Sequence, residues 1–371
     1  MKINILRLVS SAYSGGTQRG LLLYSKFYNS KIFNLHLISL RAGNSMNKFQ
    51  KILGNNYSCL NLKRRISLKA IIELIKYVKK NNIHIISTHL LEADIYGFFI
   101  KLYCPYLTLF AGRHAQNRFR EKFYFRILIF LITIPVKKVI CISKALKNFT
   151  KRNEFIPNSK LVYVYNGLNL DFFYNEDKSE FRKKFVNNNK NVFLIGILGR
   201  LIKRKGHSYL IKAVHKLISE GIDNIKVLVI GEGQYLDYLI KLSNKLNLEN
   251  YVKFLGFQRN VRDFYNIFDL LCVPSDFEGF GYVIIEAMAC ETLVLSSNIP
   301  GPNEIISHGV DGLLFKNADI DDLAEKIKMV MKKSFDIEKI KKNARKRVKN
   351  LFTISKMVKG YENIYLNNYY S

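Results

Sequence analysis

Short apolar runs alternate with stretches of helical spacing along the whole chain, and that alternation leaves few architectures open. In the first half the strand-like runs are Ile3 to Leu8, Leu35 to Leu40, Ile83 to Thr88, Leu107 to Ala111, Val139 to Ile142 and Leu161 to Tyr165. Helical stretches lie between them; Leu68, Ile71, Ile72, Ile75 and Val78 trace one face of such a helix. A second alternating half contains Val192 to Leu198, Val227 to Ile230, Val252 to Leu255, Leu270 to Val273 and Leu293 to Ser296. Strands that alternate with helices imply parallel sheets joined by crossovers. Between the halves, residues 171–191 are polar, rich in asparagine and poor in periodicity, as a linker with one short helix would be. The expected organisation is α/β, with a first domain over 1–175, a linker over 176–190 and a second domain over 191–351.

At 371 residues the chain is long enough for two domains, and 48% hydrophobic content suffices for packed cores. The first residues, M-K-I-N-I-L-R-L-V-S, read as a strand rather than a secretory signal. The longest apolar run, Ile127 to Val136, is broken by Thr133 and Pro135 and too short to cross a bilayer; it reads as a buried helix, with a membrane-dipping one as the alternative. Five cysteines share no metal or redox spacing, which suits reduced thiols and a cytoplasmic location. Charge is the outlier: 59 Lys and Arg against 29 Asp and Glu give +30. Such an excess suits phosphorylated small molecules, the inner face of an anionic membrane or another polyanion, with no motif for specific nucleic-acid reading.

Chemistry-bearing residues collect where apolar runs end. From Pro274 to Ala289 the chain reads P-S-D-F-E-G-F-G-Y-V-I-I-E-A-M-A. A strand stops at the proline, Gly279 and Gly281 bracket Phe280, and a helix carrying Glu286 follows. Only Glu286, on the helix, is expected to have a fixed orientation; Glu278 lies in the turn. Eight positions on one continuous helix would separate two carboxylates by roughly 12 Å, beyond the roughly 5 to 9.5 Å of a hydrolase acid/base pair. The spacing suits two carboxylates gripping different parts of one elongated ligand. It fits equally well a Glu278 that caps the helix dipole and a Glu286 solvated on the outer face.

Gly199-Arg200 closes another apolar run, and Lys203, Arg204 and Lys205 precede a helix opening at Gly206. A guanidinium and an ammonium at such a turn suit a diphosphate; a solvated basic turn is the plainer alternative. In the first half, Gly15 and Gly16 of S-G-G-T-Q-R-G follow the first strand, where a doubly wound sheet receives phosphate, but without G-x-G-x-x-G spacing, so a plain helix-entry turn fits as well. His89 and His114 each follow a strand, and Arg113 beside His114 favours an anionic partner. Two such domains in series would place a nucleoside diphosphate-sugar between them, cations toward its pyrophosphate and carboxylates toward its hydroxyls.

These residues resemble the retaining glycosyltransferases of family 4, built on the GT-B architecture of two Rossmann-like domains facing a cleft. The resemblance rests on S-G-G-T-Q-R-G, V-Y-V-Y-N-G-L-N-L-D-F-F, G-R-L-I-K-R-K-G-H, V-I-G-E-G, F-L-G-F-Q-R-N-V and the Glu278-to-Glu286 segment, in that order, followed by P-G-P-N-E-I-I and G-V-D-G-L-L-F. It implies that Arg200 and Lys205 hold the donor diphosphate and that Glu286 binds the ribose. Glu278 would contact the transferred sugar, with the Phe280 and Gly281 amides nearby. Gly16 would let the first domain approach the phosphates, and His114 would lie beside the donor sugar. A metal-independent hexosyltransferase is implied, without cofactor, acting with retention on a UDP- or GDP-sugar. The acceptor would be a glycan or a lipid-linked glycan, as in surface polysaccharide or lipopolysaccharide biosynthesis, chosen by first-domain loops such as A-G-R-H-A-Q-N-R-F-R. A last helix, 352–371, would cross back onto the first domain. Glu291 and Leu293 depart from the family's usual Gly and Pro, so a different, slightly strained cap is expected there. The same architecture also serves sugar-nucleotide epimerases, and charge alone would fit a non-catalytic polyanion binder.

Overall fold

The computed structural model describes residues 2–13, 15–115, 122–186, 189 and 191–369. Ser14 of the S-G-G turn, residues 116–120 of the A-G-R-H loop and residues 187, 188 and 190 of the linker lie outside the described residues. By packing, the chain forms two compact units, Met1–Gly167 with Ile354–Ser371 and Leu168–Thr353.

The first unit is built on seven strands: β1 (Ile3–Val9), β2 (Phe33–Ser39), β3 (Tyr57–Cys59), β4 (Ile85–His89), β5 (Thr108–Arg113), β6 (Lys138–Cys141) and β7 (Leu161–Tyr163). They pair in parallel in the order β3-β2-β1-β4-β5-β6-β7. The second unit has β8 (Phe193–Leu198), β9 (Ile225–Ile230), β10 (Val252–Phe254), β11 (Leu270–Val273), β12 (Val294–Ser297) and β13 (Leu313–Phe315). Their order is β10-β9-β8-β11-β12-β13, again parallel. Both sheets are doubly wound. The central strands of the second sheet, β8 and β11, are buried on both faces and read as apolar runs without alternation.

The expected strands are present, with ends shifted by a residue or two. Two short strands escaped the apolar-run criterion, β3 (Y-S-C) and β13 (L-L-F), each only a three-residue edge. The change between units falls at Gly167 and Leu168. Downstream, the helix Ser179–Val186 is fastened to the second unit by Arg182, which donates to Asp269 Oδ2 at 2.6 Å and Val192 O at 2.8 Å. The last helix, Ile354–Tyr369, belongs to the first unit, where Tyr361 and Tyr365 join Tyr24 around Arg7. The Arg7 guanidinium is buried, 3.5 Å from the Tyr24 ring centroid and 4.8 Å from that of Tyr361, and Nη2 donates to Tyr365 Oη at 3.1 Å.

One expectation is corrected. The Ile127–Val136 run is not a buried helix. It forms part of a helix, Phe123–Thr133, that buries Ile129, Ile132 and Thr133 but leaves Ile127, Leu128, Phe130 and Leu131 exposed. The run is apolar on both faces, and the sheet can cover only one.

Candidate active site

In each sheet the strand order reverses at the centre, between β1 and β4 in the first unit and between β8 and β11 in the second. Crossovers leave in opposite directions there, so a crevice opens beyond the carboxyl ends of those strands. The residues that follow β8 and β11 are the basic turn and the carboxylate turn.

The basic turn makes a single 3₁₀ turn over Lys203–Lys205 and enters the helix His207–Ser219 through Gly206. Gly206 has φ +70°, and a Cβ there would lie 1.7 Å from the Pro274 carbonyl oxygen. Only glycine permits both the left-handed backbone and this approach, and the approach brings the basic turn against the end of β11. Asp276 N donates to Arg204 O at 2.9 Å across the same junction. Lys205 thereby reaches Glu278 and forms an ion pair with Oε1, to which Ser275 Oγ also donates at 3.3 Å. The two side chains keep 18% and 11% of their surface, so the pair is sheltered yet accessible. Glu278 is therefore held in place, contrary to the expectation that only Glu286 would be.

Glu286 sits on the helix Tyr282–Ala289, whose N-cap is Gly281. It is only 2% exposed and accepts from Tyr265 Oη at 2.6 Å, which excludes a solvated outer carboxylate. A buried carboxylate without hydrogen bonds would be costly, so Tyr265 helps to keep this one in place. Phe280 is buried edge-on against Phe352, with centroids 5.5 Å apart, and this anchors the backbone between Gly279 and Gly281. Arg200, by contrast, is exposed and has no ion-pair partner among the described residues. His207 is 2% exposed with both ring nitrogens unpartnered among the described residues. Burial, and then the Lys205 charge, push its pKa down to about 4.

In the first unit, Gly15 and Gly16 begin the helix Gly16–Phe27 after β1. The registers set His89 opposite Gly112. A Cβ on Gly112 would lie 2.7 Å from His89 Nδ1 and 2.9 Å from His114 Nε2. Glycine thus makes room for the two rings to meet, Nδ1 to Nε2, at 2.8 Å. His89 is fully buried, and burial, then His114 and Arg7, hold its pKa well below the ordinary value. A neutral imidazole has one N–H, so one of these nitrogens donates and the other accepts, which couples the tautomers of the two rings. Arg113 corrects another expectation. It is completely buried, donating from Nη1 to Asp94 Oδ2 at 2.7 Å and from Nε to Glu154 Oε2 at 2.8 Å. Burial opposes its charge, but Glu154 and Asp94 outweigh that and raise its pKa. It is an internal ion-pair centre, not an anion receptor.

Within the second unit, then, the structure brings Lys205 onto Glu278 and places Arg200 on the same turn, with Glu286 and the Phe280–Gly281 backbone on the following helix entry. Within the first it brings His114 onto His89. Ser275, Tyr265 and His207 were not found from the sequence. Ser275 carried a faint signal, its place in P-S-D-F-E; Tyr265 lies 21 residues from its carboxylate, and no spacing rule connects them.

Comparison with known proteins supplies the remaining constraint. The sequence model described as glycosyl transferases group 1 matches residues 177–347, and that of Glycosyltransferase Family 4 matches 14–172. The glycosyltransferase MJ1607 of Methanocaldococcus jannaschii is 33% identical over 64% of this chain; the match spans 61% of that protein's length. MJ1178 of the same organism is 30% identical over 71% of this chain and 69% of its own length. The capsular polysaccharide biosynthesis glycosyltransferase CapM of Staphylococcus aureus is 26% identical over 97% of this chain and 96% of its own. Among solved structures, a glycosyltransferase from Rickettsia africae superposes with TM-score 0.86 at 25% identity, covering 98% of both chains. HepE of Anabaena, crystallised with UDP, gives 0.85 at 20% identity, covering 99% of this chain and all of that one.

Proposed function

The chain belongs to glycosyltransferase family 4, with the GT-B fold, and from that premise we propose that it transfers a sugar from a nucleoside diphosphate-sugar to a glycan or lipid-linked acceptor, with retention. The observation that carries this reading is the Lys205–Glu278 pair, set beside an exposed Arg200 without an ion-pair partner among the described residues and ahead of a buried, hydrogen-bonded Glu286. An ammonium has three donors; Lys205 spends one on Glu278 and keeps others for a diphosphate. Arg200 adds a fork that matches phosphate oxygens. Glu286 is suited to accept hydrogen bonds from ribose hydroxyls and Glu278 from those of the transferred sugar, with the Phe280 and Gly281 amides beside them. Within the first unit, Gly16 and His114 follow strand ends, where doubly wound sheets receive ligands. HepE, the Anabaena protein, is described in complex with UDP and with UDP-glucose, which makes a UDP-sugar the first donor to try.

In the reaction the bond between anomeric carbon and phosphate oxygen breaks, and a bond from the acceptor oxygen forms on the same face. The acceptor proton passes to the departing phosphate. Negative charge grows on the diphosphate as it leaves, and Lys205 and Arg200 are placed to stabilise it without a divalent ion. The kinship with a capsular enzyme, and with an Escherichia coli galactosyltransferase named for a diphosphoundecaprenol-linked substrate, supports surface-glycan assembly at the cytoplasmic face of a membrane.

A panel of UDP- and GDP-sugars tests the reading. The correct donor raises the melting temperature, is turned over with an acceptor, and is indifferent to EDTA. Lys205→Ala should lower kcat by about 100- to 1,000-fold. Glu286→Gln should act mainly on donor KM. If no sugar nucleotide shifts the melting curve or is consumed, the proposal is wrong; isomerisation of the donor alone would replace it with an epimerase.

A further inference from the structure

The helix Phe123–Thr133 is unusual for the surface of a globular unit. Its inward face, with Ile129 and Ile132, packs on the first unit. Its outward face carries Phe123, Tyr124, Ile127, Leu128, Leu131 and, just past the end, Ile134, all between 37% and 68% exposed. These positions recur at helical spacing and form one stripe. A surface helix ordinarily turns polar side chains outward, and a helix apolar all round is covered by something.

The surroundings say what covers it. Residues 122–170 contain nine Lys and Arg and one acid, Glu154, which is buried against Arg113. Six of these cations lie on or beside the helix. Arg126 stacks on Phe155 at 3.9 Å and donates from Nη2 to Arg152 O at 3.1 Å, which brings the end of the helix Lys144–Asn153, with Lys151 and Arg152, alongside. At the other end Lys160 Nζ donates to Thr133 O at 3.2 Å and Ile134 O at 2.6 Å. Lys122 and Lys137, both exposed, flank the helix. A second copy of the chain would bring its own cations against these, and like charges repel. An anionic lipid surface meets both demands: its acyl boundary accepts the apolar stripe and its headgroups the surrounding cations.

We propose that this face is a membrane-docking surface, the helix lying in the plane of an anionic bilayer without crossing it. No described helix is long and apolar enough to span one. The inference goes beyond the donor reading and does not depend on it, since vesicle binding and sugar-nucleotide turnover in solution are separate measurements.

The test is flotation of the full chain with phosphatidylglycerol-containing and pure phosphatidylcholine vesicles. Binding to the anionic vesicles should exceed that to neutral ones by about tenfold or more, and fall at about 1 M salt. Ile127→Gln with Leu131→Gln should reduce binding by a similar factor while melting temperature and soluble turnover stay as they are. Lys151→Glu with Arg152→Glu should remove the preference for anionic lipid. Absence of binding to either vesicle overturns the proposal, as does binding that survives the double glutamine variant. A chain that dimerises in solution and becomes monomeric in that variant would assign the face to self-association instead.

Discussion

Gly112-Arg113 and Gly199-Arg200 are the same dipeptide at the same kind of place, the carboxyl end of a central parallel strand. Their fates are opposite. Arg113 is fully buried and spent on Asp94 and Glu154. Arg200 is exposed, without an ion-pair partner among the described residues. What separates them is supply of acids. The helices after β4 and β6 bring one carboxylate each to Arg113, whereas Glu278, the acid that meets the basic turn, is taken by Lys205. A strand-end arginine is thus open to an anion only where the fold leaves it unneutralised.

Substitution should separate the two sharply. Arg113→Met strands two buried carboxylates and should cost about 3–5 kcal/mol of stability, read from urea unfolding. Arg200→Ala should stay within about 0.5 kcal/mol of wild type in the same assay yet lower turnover of the donor by about 100-fold or more. An Arg113→Met protein as stable as wild type, or an Arg200→Ala protein that unfolds readily, would erase the distinction.

The turn that exposes Arg200 has a buried cost of its own. His207, directly after Gly206, titrates near 4 in the fold against an ordinary 6.5 when unfolded. The unfolded chain therefore takes up the proton first. Stability is full above about pH 6.5 and declines as pH falls toward about 4, by at most about 3 kcal/mol from this group. His207→Leu should flatten that part of the melting temperature against pH profile and leave the neutral limb nearly unchanged. His89, also held neutral by burial, contributes a slope of the same sign that the variant retains. A His207→Leu profile parallel to wild type throughout would mean that the ring is solvated.

How much of this was legible beforehand follows the range of the interactions. Strand-end glycines, the basic turn and both glutamates are local signals, and the two sheets follow from the period of the apolar runs. Partners were not legible. Tyr265 for Glu286, Asp94 and Glu154 for Arg113, and His89 for His114 depend on strand register and on helices that arrive from elsewhere in the chain. The outward stripe of the Phe123–Thr133 helix was misread for a related reason: an apolar run shows that something must cover it, not that the same chain does.

Glu291 offers the finest test, because it asks whether the departure after the carboxylate helix is structural or functional. It follows the C-cap Cys290 with φ +58°, a left-handed conformation that favours glycine. Its carboxylate lies 3.4 Å from Arg345 Nε and 3.4 Å from Asn175 Nδ2, contacts on a partly exposed surface. Glu291→Gly relieves roughly 1 kcal/mol of backbone strain but gives up a pair worth about 0–1 kcal/mol, so its net effect should be small. Glu291→Ala gives up the pair and keeps the strain. The difference between the two variants, about 1 kcal/mol in favour of glycine, isolates the strain from the pair. Because the residues proposed to meet the donor precede this position, donor turnover should be the same in both. A loss of turnover in Glu291→Gly at unchanged stability would show that the strained cap sets the aim of Glu286, and that even the free arginine's turn depends on a structural element behind it.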